Sequence, residues 1–160
     1  MFPILCVSRY IDVETSMGDT GLMKVYTIGY GGRHPQEFIA ILKEQGVITL
    51  ADVRLLPDRT RFGSYKKAKD SSKGIERLLS DAGIEYVWLR ELGNIYMDRD
   101  DWSEKYRLLL EAEGDQRTER LLTLQFPICL LCAEKDPDGC HRSIIAEHLA
   151  SRGLEIEHLR

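Results

Sequence analysis

The residues best suited to chemistry are concentrated in one short stretch near the carboxyl end of the chain. Its reactive side chains are, in order, Cys132, Glu134, Cys140, His141, Arg142 and Ser143. A thiol can act as a nucleophile, a carboxylate and an imidazole can transfer protons, and a guanidinium offers a planar pair of donors to an anion. We therefore predict the carboxylate, the imidazole and the two thiols as catalytic groups, and Arg142 with Ser143 as ligand-binding residues.

The sequence around this stretch predicts the elements that position it. Residues 127–132 form a short, continuous apolar run, which is typical of a strand buried on both faces of a parallel sheet. Residues 136–139 favour a turn, and Ile144, Ile145 and Leu149 then recur at helical spacing. The reactive residues would thus lie between a strand's carboxyl end and a helix's amino end, where open α/β sheets bind ligands and free N–H groups attract anions.

Two other strand ends should converge on the same place. The turn after the first predicted strand contains Gly31, Gly32 and Arg33, and its glycines would let backbone N–H groups approach an anion. This turn lacks the third glycine of the dinucleotide fingerprint, so no nicotinamide cofactor is expected. After the second strand, Asp52 and Arg54 project in the same direction. Arg54 is predicted to bind the ligand, and Asp52 is either a catalytic carboxylate or the partner of Arg54 in an ion pair.

Residues 54–73 form a basic segment in a chain whose formal net charge is −4. The segment contains seven basic residues and two acidic ones, with Phe62 and Tyr65 interleaved among them. Exposed cations suit phosphate groups, and aromatic rings can stack on bases. The segment is therefore either a solvated loop or the contact surface for a phosphate-bearing partner, a small molecule or a nucleic acid.

The cysteines leave several interpretations open. Cys132, Cys140 and His141 could supply three ligands to zinc, or one of the two thiols could be a nucleophile activated at the helix start. Cys129 and Cys132 do not form one metal site, because residues three apart on a strand face opposite ways, and Cys129 is expected in the core. We predict a site without a metal or cofactor and keep zinc binding and thiol catalysis as alternatives.

Apolar periodicity along the rest of the chain predicts an α/β fold. Strands are expected at residues 25–30, 47–53, 84–89, 127–132 and 154–159, and helices near 35–45, 72–82, 103–124 and 141–150. The third helix should break near Gly114. This alternation predicts a single-domain three-layer sandwich with a mainly parallel five-stranded sheet. We favour the strand order 3-2-1-4-5, with 2-1-3-4-5 as the alternative.

The first 22 residues fit this pattern poorly, so the α/β domain is expected to span residues 23–160. A short apolar patch followed by polar residues predicts a loosely attached extension, with a strand at residues 4–10 as the alternative. The four cysteines favour free thiols in the cytoplasm rather than a disulfide framework. The chain has no run of about 18 apolar residues, so no membrane contact is expected.

Four motifs resemble those of an uncharacterised family, the domain-of-unknown-function family 488. They are YTIGYGGR at 26–33, DVR at 52–54, GIEYVWLRELGN at 83–94 and LLCAEKDPDGCHRS at 130–143, and the resemblance spans about residues 23–159. It implies a small cytosolic α/β domain with no assigned activity. Carried over by motif, the functional candidates are Arg33, Asp52, Arg54, Cys132, Glu134, Cys140, His141 and Arg142.

We interpret the chain as a protein that binds or processes a phosphate-bearing ligand, a nucleotide or a nucleic-acid component, at the carboxyl ends of strands one and four. One alternative is a thiol-dependent hydrolase or transferase that uses Cys132 or Cys140. The other is a non-catalytic nucleic-acid-binding module that uses residues 54–73. The sequence leaves open whether the protein is an enzyme.

The predicted extension can be tested by truncation. Removal of residues 1–22 should leave the melting temperature nearly unchanged, because a loosely attached segment contributes little buried apolar surface. Circular dichroism of the full-length and shortened chains during heating provides the comparison. A large drop would show that the segment is part of the folded domain.

Overall fold

A computed structural model describes residues 23–160 of the chain. Its strands are β1 (Lys24–Gly29), β2 (Thr49–Asp52), β3 (Glu85–Trp88), β4 (Ile128–Cys132) and β5 (Glu155–Leu159). Its α-helices are α1 (Pro35–Glu44), α2 (Gly74–Asp81), α3 (Trp102–Thr118) and α4 (His141–Ser151). The predicted amino-terminal extension, and the alternative strand at residues 4–10, lie outside the described residues.

The five strands form one parallel sheet in the order β3-β2-β4-β1-β5. The α/β class and the pairing of β1 with β4 are confirmed. The predicted order 3-2-1-4-5 is wrong because β1 and β4 exchange places, and the alternative 2-1-3-4-5 does not fit either. β4 is buried at all five positions, which suits the centre of the sheet. β1 begins with Lys24, which pairs with Glu155 and Glu157 of β5.

Helices cover both faces of the sheet, because successive residues of a strand point to opposite sides. On one face, α1 and α2 pack over Cys129 and Leu131 of β4. On the other face, α3 and α4 pack over Ile128 and Leu130. Cys132 continues the second face, so its thiol points toward α4 and lies near His141. The prediction that Cys129 is a core residue, on the face opposite to Cys132, is confirmed.

The third helix is continuous through the position where a break is predicted. α3 runs for 17 residues and includes Gly114. A Cβ atom at Gly114 would lie 2.4 Å from Cε1 of His148 on α4, so this glycine allows the two helices to pack closely and does not end one of them. Among the described residues, no helix has both the length and the apolar composition needed to cross a membrane.

The segments that leave β1 and β4 cross in direct backbone contact. Gly31 N–H donates to Ala133 O at 2.9 Å, which extends the pairing of the two strands beyond their ends. A Cβ atom at Gly29 would lie 1.7 Å from Glu134 O. The crossing therefore requires a glycine at the end of β1. The same contact holds the first residues after β4 in place against β1.

Substitution of this glycine should destabilise the fold. Gly29→Ala should reduce the free energy of unfolding by about 3 kcal/mol, because the added methyl group overlaps a carbonyl oxygen that cannot move without breaking the crossing. Gly63→Ala is the control, because a Cβ atom there has no neighbour within 4 Å and should change stability little. Urea unfolding measures both variants, and equal stability of the two would contradict this account of the crossing.

Candidate functional site

A cavity of about 420 Å³ opens at the carboxyl ends of β1, β2 and β4, and we call it the carboxyl-edge cavity. Its lining includes Tyr30, Arg54, Cys132, Glu134, Cys140 and His141. A larger cavity of about 590 Å³ lies beside α3, α4 and β5. Of the predicted site residues, the larger cavity contains only Ser143, whose hydroxyl donates to Cys140 O at 2.8 Å. The carboxyl-edge cavity is therefore the candidate site.

Cys132, Cys140 and His141 form a buried cluster in the wall of this cavity. Each sulfur atom lies 3.8 Å from Nδ1 of His141, and the three atoms lie within 4.8 Å of one another. Nε2 of His141 is 2.8 Å from Val53 O. Because a carbonyl only accepts hydrogen bonds, Nε2 carries a proton, and in the neutral imidazole Nδ1 then presents a lone pair to the sulfur atoms. The edge-on packing of Tyr106 against the imidazole, at 5.2 Å, further fixes the ring.

The two thiols of this cluster differ in acidity. A hydrogen bond from the Cys140 thiol lowers the pKa of Cys132 in spite of burial, and the backbone N–H groups of Ala133 and Glu134 contribute to the same shift. The same thiol–thiol contact, together with burial, raises the pKa of Cys140. Chemically, the cluster can provide a nucleophilic sulfur or a set of metal ligands.

Asp52 and Arg54 form a buried ion pair at the end of β2. Nε of Arg54 donates to Oδ1 of Asp52 at 2.9 Å, and Nη2 donates to Oδ2 at 2.6 Å. Tyr86 OH on β3 donates to the same carboxylate at 2.6 Å, and Nη1 of Arg54 donates to Tyr65 O at 2.7 Å. Both carboxylate oxygens are thus occupied. These contacts favour the structural interpretation of Asp52, in which the pair attaches the basic segment to the sheet.

Arg142 is fully buried and holds the loop between β4 and α4. Its guanidinium donates to the carbonyl oxygens of Glu134 and Lys135 and to Oγ1 of Thr27 on β1. All three of its nitrogen atoms therefore bond within the chain. The contacts describe a positioning residue for the cysteine-bearing loop, and direct contact of Arg142 with an anion stays a prediction.

Arg33 and Gly32 line a separate cavity of about 530 Å³ on the other side of Tyr30. Nε of Arg33 donates to Gly29 O at 2.9 Å, and Nη2 donates to Leu159 O at 3.3 Å. Gly32 has a φ of 68°, a left-handed conformation that favours glycine. The predicted site residues that meet in the carboxyl-edge cavity are thus Arg54, Cys132, Glu134, Cys140 and His141.

Sequence reasoning did not identify several residues that shape this cavity. Thr60, Asn94 and Met97 line it from loops, where no apolar periodicity marks a position that faces a site. Val53 takes part through its carbonyl oxygen, which a side-chain pattern does not reveal. The hydroxyl of Tyr30, which donates to Oγ1 of Thr60 at 2.9 Å, connects the end of β1 to the basic segment.

The fold and the site define a class of protein, a small parallel α/β domain with a Cys–Cys–His cluster in a cavity at the carboxyl edge of its sheet. A family model described as Domain of unknown function DUF488 matches residues 34–149. The chain belongs to this family, which confirms the predicted family assignment. Searches of curated proteins and of solved structures gave no match.

Removal of the buried Asp52 carboxylate should lower the free energy of unfolding. Asp52→Ala leaves the Arg54 guanidinium buried without its partner, so the free energy of unfolding should fall by about 3–5 kcal/mol. Asp81→Ala is the matched control, because it breaks an exposed pair with Arg77 on α2 and should cost less than about 1 kcal/mol. Urea unfolding of both variants gives the comparison. Similar losses in the two would contradict a structural role for the Asp52–Arg54 pair.

Proposed function

We propose that this protein binds and processes a phosphate-bearing ligand, a nucleotide or a segment of nucleic acid, in the carboxyl-edge cavity. The observation that carries the proposal is the basic segment, residues 54–73, whose first part lines that cavity and most of whose basic side chains are exposed. Arg59 and Thr60 of this segment line the cavity itself, and Arg61 and Phe62 follow them at the surface. A phosphate-bearing chain could contact the segment and place one unit in the cavity.

Five of the seven basic residues of this segment are exposed, whereas Arg54 and Lys67 pair with Asp52 and Glu76. Arg61, Lys66, Lys69 and Lys73 are exposed, and within the described residues none of them forms an ion pair. Arg59 lies 3.7 Å from Asp58, but both side chains are largely exposed, so water screens the pair. The net charge of the chain is −4, so the whole protein does not attract anions. This segment is a local positive surface that would bind an anion at one place.

Phe62 adds a contact suited to a base. Its side chain is half exposed, and the guanidinium of Arg61 lies 5.4 Å from the centre of its ring. Stacking of a base on an exposed aromatic ring beside a cation is a common way to bind single-stranded nucleic acid without sequence preference. The combination favours a nucleic-acid segment over an isolated phosphate ion.

The predicted anion ligands have different roles in this proposal. Arg33, Arg54 and Arg142 hold the loops, because their donors bond within the chain. Arg59 and Arg61 are exposed and make the first contact with phosphate. The carboxylate of Glu134 is also exposed in the cavity wall, and it is the group best placed to exchange protons with solvent.

A charge reversal at the rim tests the proposal. Arg61→Glu should weaken binding of a fluorescein-labelled single-stranded oligonucleotide roughly 10-fold at low salt and reduce the salt slope by about 1, because one phosphate contact is lost. Phe62→Ala should weaken binding by a similar factor without changing the salt slope. Fluorescence anisotropy across a salt series provides both quantities.

Lys43→Glu is the matched control, because Lys43 is an exposed basic residue in the last turn of α1, at the opposite edge of the sheet. This variant should bind like the wild type. Salt-independent binding, or equal weakening by both charge reversals, would remove the basic segment as the contact surface. Binding of the oligonucleotide with no turnover of any phosphate ester would reduce the function to the non-catalytic module.

A further inference from the structure

We propose that Cys132, Cys140 and His141 bind a Zn²⁺ ion with three protein ligands, leaving one coordination position open to the carboxyl-edge cavity. The three donor atoms already form a compact triangle, with each sulfur 3.8 Å from Nδ1 of His141 and no pair more than 4.8 Å apart. All three residues are buried, so few water molecules compete for the donors. Thiolate and imidazole together are a ligand set that zinc prefers.

The two sulfur–nitrogen edges of the triangle match a tetrahedral zinc centre. Zn–S bonds of about 2.3 Å and Zn–N bonds of about 2.0–2.1 Å place sulfur and nitrogen about 3.6 Å apart across a tetrahedral ion. The two sulfur–nitrogen distances of 3.8 Å exceed this value by only about 0.2 Å. The sulfur–sulfur distance is at most 4.8 Å, and rotation of the two cysteine side chains would bring it toward the roughly 3.8 Å of a tetrahedral centre.

The orientation of His141 is that of a metal ligand. Histidines that bind metals usually donate their other ring N–H to a carboxylate or a backbone carbonyl, which fixes the tautomer. Nε2 of His141 has such a partner in Val53 O, at 2.8 Å. In the neutral imidazole the free lone pair is therefore on Nδ1, which is the atom that faces both sulfurs.

Two elements, β4 and α4, hold the ligands against one another. Cys132 ends β4 in the centre of the sheet, while Cys140 and His141 begin α4. Arg142 joins the two parts, because it bonds to the loop carbonyls of Glu134 and Lys135. Ligands fixed by a strand and a helix lose little freedom when the ion binds, which favours affinity.

The fourth position would face the cavity, whose wall includes the carboxylate of Glu134. Structural zinc sites are closed by four protein ligands, whereas catalytic ones keep one position for water or substrate. The metal site does not depend on the identity of the ligand, but its use in binding a phosphate oxygen rests on the function proposed above. There, the ion would act as a Lewis acid toward that oxygen.

Metal content of the full chain tests this inference. Protein purified without chelators and equilibrated with Zn²⁺ should retain one ion per chain by elemental analysis. Co²⁺ offered to the chelator-treated protein should give the absorption of a tetrahedral cobalt–thiolate centre. Cys132→Ser and Cys140→Ser should each lower zinc affinity by more than the roughly 10- to 100-fold that loss of an outer-shell partner costs.

Cys129→Ala is the matched control, because Cys129 lies in the core on the opposite face of β4 and should retain one ion. Circular dichroism confirms that each variant is folded. If a serine variant fails to fold, alkylation of the wild type replaces it, since bound zinc should slow the labelling of Cys132 and Cys140. Zinc retained unchanged by both folded serine variants would place the ion elsewhere and overturn the inference.

Absence of zinc binding, with rapid alkylation of Cys132 that zinc does not slow, would also overturn the inference and assign the cluster to thiol chemistry. Oligonucleotide binding is measured separately, with the zinc-loaded protein and with the chelator-treated protein. Zinc binding without oligonucleotide binding would leave the metal site standing and refute the proposed ligand, whereas the reverse result would refute only the metal site.

Discussion

The geometry of the candidate site depends on one buried guanidinium. Arg142 is removed from water, which is unfavourable for a charged group unless hydrogen bonds replace its hydration. The carbonyl oxygens of Glu134 and Lys135 and the hydroxyl of Thr27 provide that replacement. The same loop carries the chain from Cys132 to Cys140, so these bonds also set the separation of the two sulfur atoms.

A second buried guanidinium, that of Arg54, holds a loop in place at the end of β2. The Asp52–Arg54 pair is closed by Tyr86 and by Tyr65 O, which attaches the basic segment to the sheet. In loops that leave parallel strands, backbone carbonyl oxygens have no hydrogen-bond partner within the sheet. One guanidinium group has five N–H donors and can bond to several of these oxygens. This is a physical reason why arginines at strand ends bond within the chain even where an anion site is expected.

The inner wall of the cavity and its rim carry different kinds of side chain. The inner wall carries soft donors, the two sulfurs and Nδ1 of His141, in a buried setting. The rim carries exposed cations and an aromatic ring, which suit the backbone and bases of a nucleic acid. The close approach at Gly29 fixes the segment after β4 against the end of β1, and Tyr30 OH donates to Oγ1 of Thr60 in the basic segment.

The sequence by itself determined the class of fold, the position of most strands and helices, and the placement of Cys132 at the end of a strand and of His141 at the start of a helix. These follow from local patterns, because apolar periodicity and turn residues act over a few neighbouring positions. Tertiary structure alone decided that β4 lies between β2 and β1, that Val53 O fixes the tautomer of His141, and that Arg142 bonds to the loop. Val53 and His141 are 88 positions apart in the sequence. Contacts between such distant residues depend on the order of the strands in the sheet, and local sequence patterns do not specify that order.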